Sequence, residues 1–109
     1  MSETVTVAMP FGATVVRALA GEPPLVVNSD PGGGYNITHT PSGYCINGGG
    51  CYLSAREAAR VRDAVIGLLD WTQDGAAITR QVKRDPVLRQ NLVAAGLRMK
   101  RATLKGPKR

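Results

Sequence analysis

At 109 residues, 43% hydrophobic and with five aromatics, the chain suits one domain with a modest aliphatic core that needs neither disulfides nor metal. No apolar run approaches bilayer length, and Met1–Pro10 lacks the basic start and apolar stretch of a secretory leader, which excludes a membrane-spanning class and points to a cytoplasmic protein. The net charge of +6 is unevenly spread, with four bases and seven acids in residues 1–79 but ten bases and one acid in residues 80–109.

Thr4–Met9 alternates small polar and apolar residues, the period of a half-buried strand, and Pro10-Phe11-Gly12 ends it. Thr14–Leu19 opens with β-branched residues and reads as a second strand rather than a short uncapped helix, with Gly21-Glu22-Pro23-Pro24 as the next breaker. Leu25–Asn28 is a third strand, and the Asp30–Gly34 run forces a turn. Tyr35–Thr40 is the fourth strand. Tyr35, Ile37 and His39 fall on one of its faces, Asn36, Thr38 and Thr40 on the other. Pro41-Ser42-Gly43 turns the chain so that Tyr44–Ile46 returns antiparallel, with Ile46 opposite Ile37. After the Asn47–Gly50 turn, Cys51–Leu53 is expected as a last brief strand.

Ser54-Ala55-Arg56-Glu57 is a capping box, with Leu53 expected to staple onto Ala58. The helix it opens has an apolar stripe of Ala58, Val61, Ala64, Val65, Leu68 and Leu69, and Trp71 is expected to plug the far edge of the sheet it covers. Asp74 caps a second helix carrying Ile78 and Val82. Asp85-Pro86 caps a third, which buries Leu88, Leu92 and Ala95 and stops at Gly96. The predicted fold is α+β: an N-terminal antiparallel β-meander of four to five short strands covered by a main helix, then two shorter helices. Residues 1–97 form the domain, and residues 98–109 a disordered basic tail.

The chemistry-bearing residues are few. His39 lies near Cys45 and Cys51 in the hairpin, but no acid orients it and nothing supplies an oxyanion hole; a strand histidine with local hydrogen bonds is the simpler reading. Five residues, Ile46–Gly50, separate Cys45 from Cys51, and the glycine turn they form permits a disulfide, although two reduced strand residues fit a cytosolic chain better. One histidine cannot complete a zinc set, and the two triple-glycine turns lack the residues of a phosphate loop, so neither metal nor cofactor is expected.

The basic end is the strongest functional signal. Arg80, Lys83 and Arg84 fall on one side of the second helix, Arg89 follows on the third, and Arg98, Lys100, Arg101, Lys105, Lys108 and Arg109 complete the series. Such a series suits DNA or RNA held electrostatically, with little sequence preference. The alternatives are a solubilising terminus or an acidic protein partner. Residues 75–96 also suggest a helix-turn-helix, although Arg-Asp-Pro is an atypical turn.

Asn36-Ile37-Thr38-His39-x-Pro41-Ser42-Gly43, the following glycine turn, the Ser-capped Ala/Arg helix and the closing Asp70-Trp71 resemble small uncharacterised proteins of actinobacterial phages and their hosts. The likeness covers about a third of the chain and implies a setting, not an activity. Two functions are expected on these grounds. One is a non-enzymatic phage accessory protein that binds nucleic acid through the basic helices and tail. The other is an effector that inhibits a host protein through its sheet face or edge, with dimerisation through an edge strand, Thr4–Met9 or Leu25–Asn28, as a further expectation.

Overall fold

A computed structural model describes residues 3–9, 12–30, 32–47 and 52–97. The order is β1 (Glu3–Met9), β2 (Gly12–Ala18), β3 (Ala20–Glu22), β4 (Leu25–Ser29), β5 (Tyr35–His39), β6 (Tyr44–Cys45), α1 (Ala55–Val65), α2 (Gly75–Arg84) and α3 (Pro86–Ala94). The α+β expectation holds, with a four-stranded antiparallel sheet in the order β3-β4-β5-β6 and a separate β1-β2 ladder. The expected tail, residues 98–109, lies outside the described residues, as do Cys51 and the Gly48–Gly50 turn.

The sheet departs from expectation at three places. Gly21 and Glu22, which have breaker composition, are strand residues paired with Val26 and Leu25, and only Pro23-Pro24 turns. β2 and β3 are joined through a bend at Leu19, whose N–H donates to the Val27 carbonyl at 2.8 Å. Leu25–Ser29 is therefore a central strand with β3 on one side and β5 on the other, not an edge. The expected last strand shrinks to one antiparallel bridge, Tyr35 to Tyr52, closed by the Tyr35 N–H to the Tyr52 carbonyl at 2.9 Å.

The core lies between the sheet and the helices. Val27 pairs with Ile37 and Leu25 with His39, which puts these four on the face that α1 covers. Ala58, Val61 and Val65 of α1 are buried with Ile46, Tyr52, Trp71, Ile78, Val82, Leu88, Leu92 and Leu97. Each large aliphatic side chain so buried contributes roughly 1.5–3 kcal/mol. The other face of β4 and β5 is buried as well. Val26, Asn36, Thr38 and Thr40 are all less than a tenth exposed. The polar members of that face are satisfied locally: Asn36 Nδ2 donates to Asp30 Oδ1 at 2.9 Å, and Thr38 Oγ1 to Asn28 Oδ1 at 2.6 Å. Ile46 opposes Ile37 as expected, its N–H reaching the Ile37 carbonyl at 2.9 Å, and the buried Asn47 side chain then takes the Ile37 N–H at 2.8 Å. One amide side chain thus extends a two-residue strand.

The capping box forms, with Ser54 Oγ accepting from the Glu57 N–H at 3.1 Å and Glu57 reaching back to the Leu53 N–H at 3.3 Å. The staple does not form, since Leu53 is 91% exposed. Tyr52 turns inward and its hydroxyl donates to the Gly96 carbonyl at 3.0 Å, so in an extended segment the next side chain points away. The apolar stripe is also shorter than its spacing suggests. α1 ends at Val65, Ala64 is exposed, and Leu68 and Leu69 are half-buried in the turns that follow. The Val65 carbonyl is taken by the Leu68 N–H at 3.0 Å and by Trp71 Nε1 at 2.9 Å, which turns the chain back over the core.

Arg62 of α1 ties the helix to the sheet. Its Nε donates to the Leu25 carbonyl and its Nη2 to the Glu22 carbonyl, both at 2.9 Å, across the Pro23-Pro24 turn. Gly21 has φ of +74° and a Cβ there would stand 2.7 Å from Arg62 Nε, so glycine is required for both backbone and space.

His39 makes the second tie. Its Nε2 lies 2.7 Å from the Trp71 carbonyl, which can only accept, so the ring proton sits on Nε2 and Nδ1 accepts from the Ser42 hydroxyl at 2.7 Å. Burial holds the imidazole below its ordinary value of 6.5, against the upward pull of the Trp71 and Gln73 carbonyls and of the Asp74 carboxylate. The unfolded chain then binds a proton more readily than the folded one. This contribution to stability is complete above pH 6.5 and falls as the pH drops below it. Urea denaturation between neutral pH and about pH 5 should show that decline. H39Q should lose about 2 kcal/mol at neutral pH and flatten the profile. An unchanged profile in H39Q would assign the decline to other groups.

Candidate nucleic-acid interface

The basic surface is set by α2. Asp74 caps it, Oδ1 accepting from the Ala77 N–H at 2.8 Å, and Ile78 and Val82 anchor its inner side to the core. With those two positions inward, Arg80, Lys83 and Arg84 emerge exposed, as their spacing predicts. Arg80 and Arg84 line an open cleft of about 520 Å³ with Gln73, Ala77, Gln81 and Asp85. Ala77, Arg80, Gln81 and Arg84 are one helical stripe, and the small Ala77 leaves the space between the longer side chains. Gln73 Nε2 donates to Gln81 Oε1 at 2.8 Å across the cleft. Lys83 is exposed outside it.

The acids that flank α2 each cap a helix. Asp74 holds the Ala77 N–H, and Asp85 Oδ1 accepts from the Leu88 N–H at 3.0 Å. Among the described residues the only ion pair joins Arg62 to Asp63, at 3.2 Å, so Arg80, Lys83 and Arg84 have no carboxylate partner. Two unneutralised guanidinium groups a helical turn apart suit neighbouring phosphates, since each presents a planar fork to phosphate oxygens.

Arg89 has a different position. Its Nη2 donates to the Lys83 carbonyl at 3.0 Å and to the Val82 carbonyl at 3.3 Å, the last turn of α2. It is exposed but caps a helix C-terminus, where a cation also meets the negative end of the helix dipole. The brace is possible because Asp85 alone separates α2 from α3, ending one helix and capping the next. A one-residue connection is also too short for the three- to four-residue turn of a helix-turn-helix. Arg98, Lys100, Arg101, Lys105, Lys108 and Arg109 lie outside the described residues.

The other candidates are placed as follows. His39 is paired with Ser42 and Trp71, not with Cys45, and is fully buried. The Asp30–Gly34 turn is closed on itself, Asp30 Oδ2 accepting from the Gly32 N–H at 2.9 Å and the Asp30 N–H donating to the Gly34 carbonyl at 2.9 Å. No group of three or more histidine, cysteine or carboxylate side chains gathers among the described residues, and no helix there is long and apolar enough to cross a membrane.

R89A should cost about 1 kcal/mol in urea denaturation, through loss of the α2 cap. It should also weaken nucleic-acid binding less than R80A or R84A does; a binding loss without a stability loss would reverse the assignment. Comparison with protein-family models, with curated proteins and with solved structures returned no match.

Proposed function

We propose that the protein is a non-enzymatic accessory protein that binds nucleic acid by its phosphate backbone, through the exposed cations of α2 and the basic residues that follow α3. The observation that carries this reading is the pairing of Arg80 and Arg84 on an open cleft with no ion pair to a carboxylate among the described residues. Lys83 widens the positive surface, and the Gln73–Gln81 amides supply neutral hydrogen-bonding groups beside it. Arg98, Lys100, Arg101, Lys105, Lys108 and Arg109 add charge without an acid among them. Cations of this number favour a strongly salt-dependent, weakly sequence-dependent association.

The aromatic residues narrow the class of ligand. Trp71 and Tyr52 are buried, and Tyr35 and Tyr44 are half-buried in the sheet. The two fully buried rings, Trp71 and Tyr52, are closed to stacking with single-stranded bases, which favours a duplex read by its backbone. A host protein held by the sheet face is less favoured, because β4 and β5 are buried on both faces.

Binding of a random-sequence duplex should be measured as a function of salt for the full chain, for R80A/R84A and for a chain lacking residues 98–109. The double substitution should lower the slope of log affinity against log salt by about two, and removal of the tail by more. Equal slopes in all three proteins would overturn the proposal. Capture of a host protein that persists after nuclease treatment would replace it with the effector alternative.

A further inference from the structure

β1 and β2 are the two seven-residue strands with one described strand partner each, and β2 carries Gly12 and Arg17, so β1 differs from it and from the four-stranded sheet in what its outer edge offers. β4 and β5 have partners on both sides, β6 has two residues, and β3 has three with Arg62 drawn over its turn. β1 has seven residues, all paired with β2, and no other described strand lies along it. From Thr4 to Met9 its sequence, TVTVAM, contains no charge, proline or glycine. Soluble proteins normally shorten, charge or interrupt such an edge, because its unpaired backbone groups recruit another strand.

The register identifies which groups are unpaired. Met9 pairs with Gly12 across a two-residue connection, which makes that pair the first hydrogen-bonded rung of the ladder. Rungs then alternate, so Val7, Val5 and Glu3 bond to Thr14, Val16 and Ala18. The N–H and C=O groups of Thr4, Thr6 and Ala8 therefore face outward. An antiparallel partner must set its own outward-facing residues opposite these. A second β1 does so in the register centred on Thr6, with Thr6 opposite Thr6, Thr4 opposite Ala8 and Val5 opposite Val7. Every outward residue of both strands is then engaged. A register centred on Val5 leaves Ala8 without a partner, and one centred on Val7 leaves Thr4 without one.

We infer that the outer edge of β1 is a dimerisation edge whose occupant is β1 of a second copy, antiparallel and centred on Thr6. The contact is isologous, and it joins the two β1-β2 ladders into one sheet across a twofold axis. It is independent of the cleft on α2.

The test is the solution mass of the full chain, after nuclease treatment and at high salt, so that nucleic acid cannot bridge copies. The expected result is a mass approaching twice 11.5 kDa as concentration rises. T6P removes an outward N–H and none that β2 uses, so it should fold, melt as one transition and remain a monomer. Amide exchange of the unmodified chain gives a readout that needs no substitution: protection at Thr4, Thr6 and Ala8 should increase with concentration. A monomer at all concentrations, a T6P dimer, or protection that ignores concentration would each overturn the inference. So would a dimer that appears only when residues 98–109 are removed, which would show that the chain's own tail occupies the edge.

Discussion

The hydrogen bond from His39 to the Trp71 carbonyl joins segments far apart in sequence at the point where the chain passes from α1 to α2. Trp71 is held at two places at once, since its indole N–H closes the end of α1 on the Val65 carbonyl while its own carbonyl receives the imidazole. Ser42 holds the other ring nitrogen and also accepts from the Tyr44 N–H at 3.2 Å, so the turn between β5 and β6 is part of the same network. A buried network of this kind is stabilising when every member is satisfied and expensive when one is lost. The position of α2, and so of Arg80 and Arg84, follows from where Trp71 is fixed. The histidine that most invited a catalytic reading thus braces the segment that leads into the basic helix.

The arginines divide by what their neighbours leave unsatisfied. Arg62 and Arg89 both face backbone carbonyls, in one case at a β-turn and in the other at a helix end, and each acts as a cap. Arg80 and Arg84 make neither a carbonyl cap nor an ion pair among the described residues, although Asp85 lines the same cleft. Charge counts alone treat the four alike. The one-residue link at Asp85 swings α3 so that Arg89 reaches back to α2, while Arg80 and Arg84, one turn earlier, look out over Ala77.

Local signals were legible in the sequence because their physics acts within about four residues. The caps at Ser54, Asp74 and Asp85-Pro86 were readable for this reason, and so was the stop at Gly96. There the Gly96 N–H returns to the Val93 carbonyl and the Leu97 N–H to the Leu92 carbonyl, with Gly96 at a φ of +105°. Strand β3 was hidden because Gly21 and Glu22 take their conformation from β4 and from an arginine 40 residues away from Glu22. Leu53 was misread because spacing alone favoured a staple, whereas the inward Tyr52 decides the direction of its neighbour. At the site, the exposure of Arg80, Lys83 and Arg84 followed from helix period; the cleft did not, because Gln73 precedes α2 and joins it only through Gln81.

The end of α3 has a mechanical consequence. Leu97 is buried and the Gly96 carbonyl is tied to Tyr52, so the twelve residues that follow start from a fixed anchor on the sheet rather than from a fraying helix. Their contour cannot exceed about 40 Å in any conformation. Whatever their arrangement, the six cations among them stay within that reach of one point. Under the proposed function, a polyanion engaged within that radius meets them as an intramolecular partner.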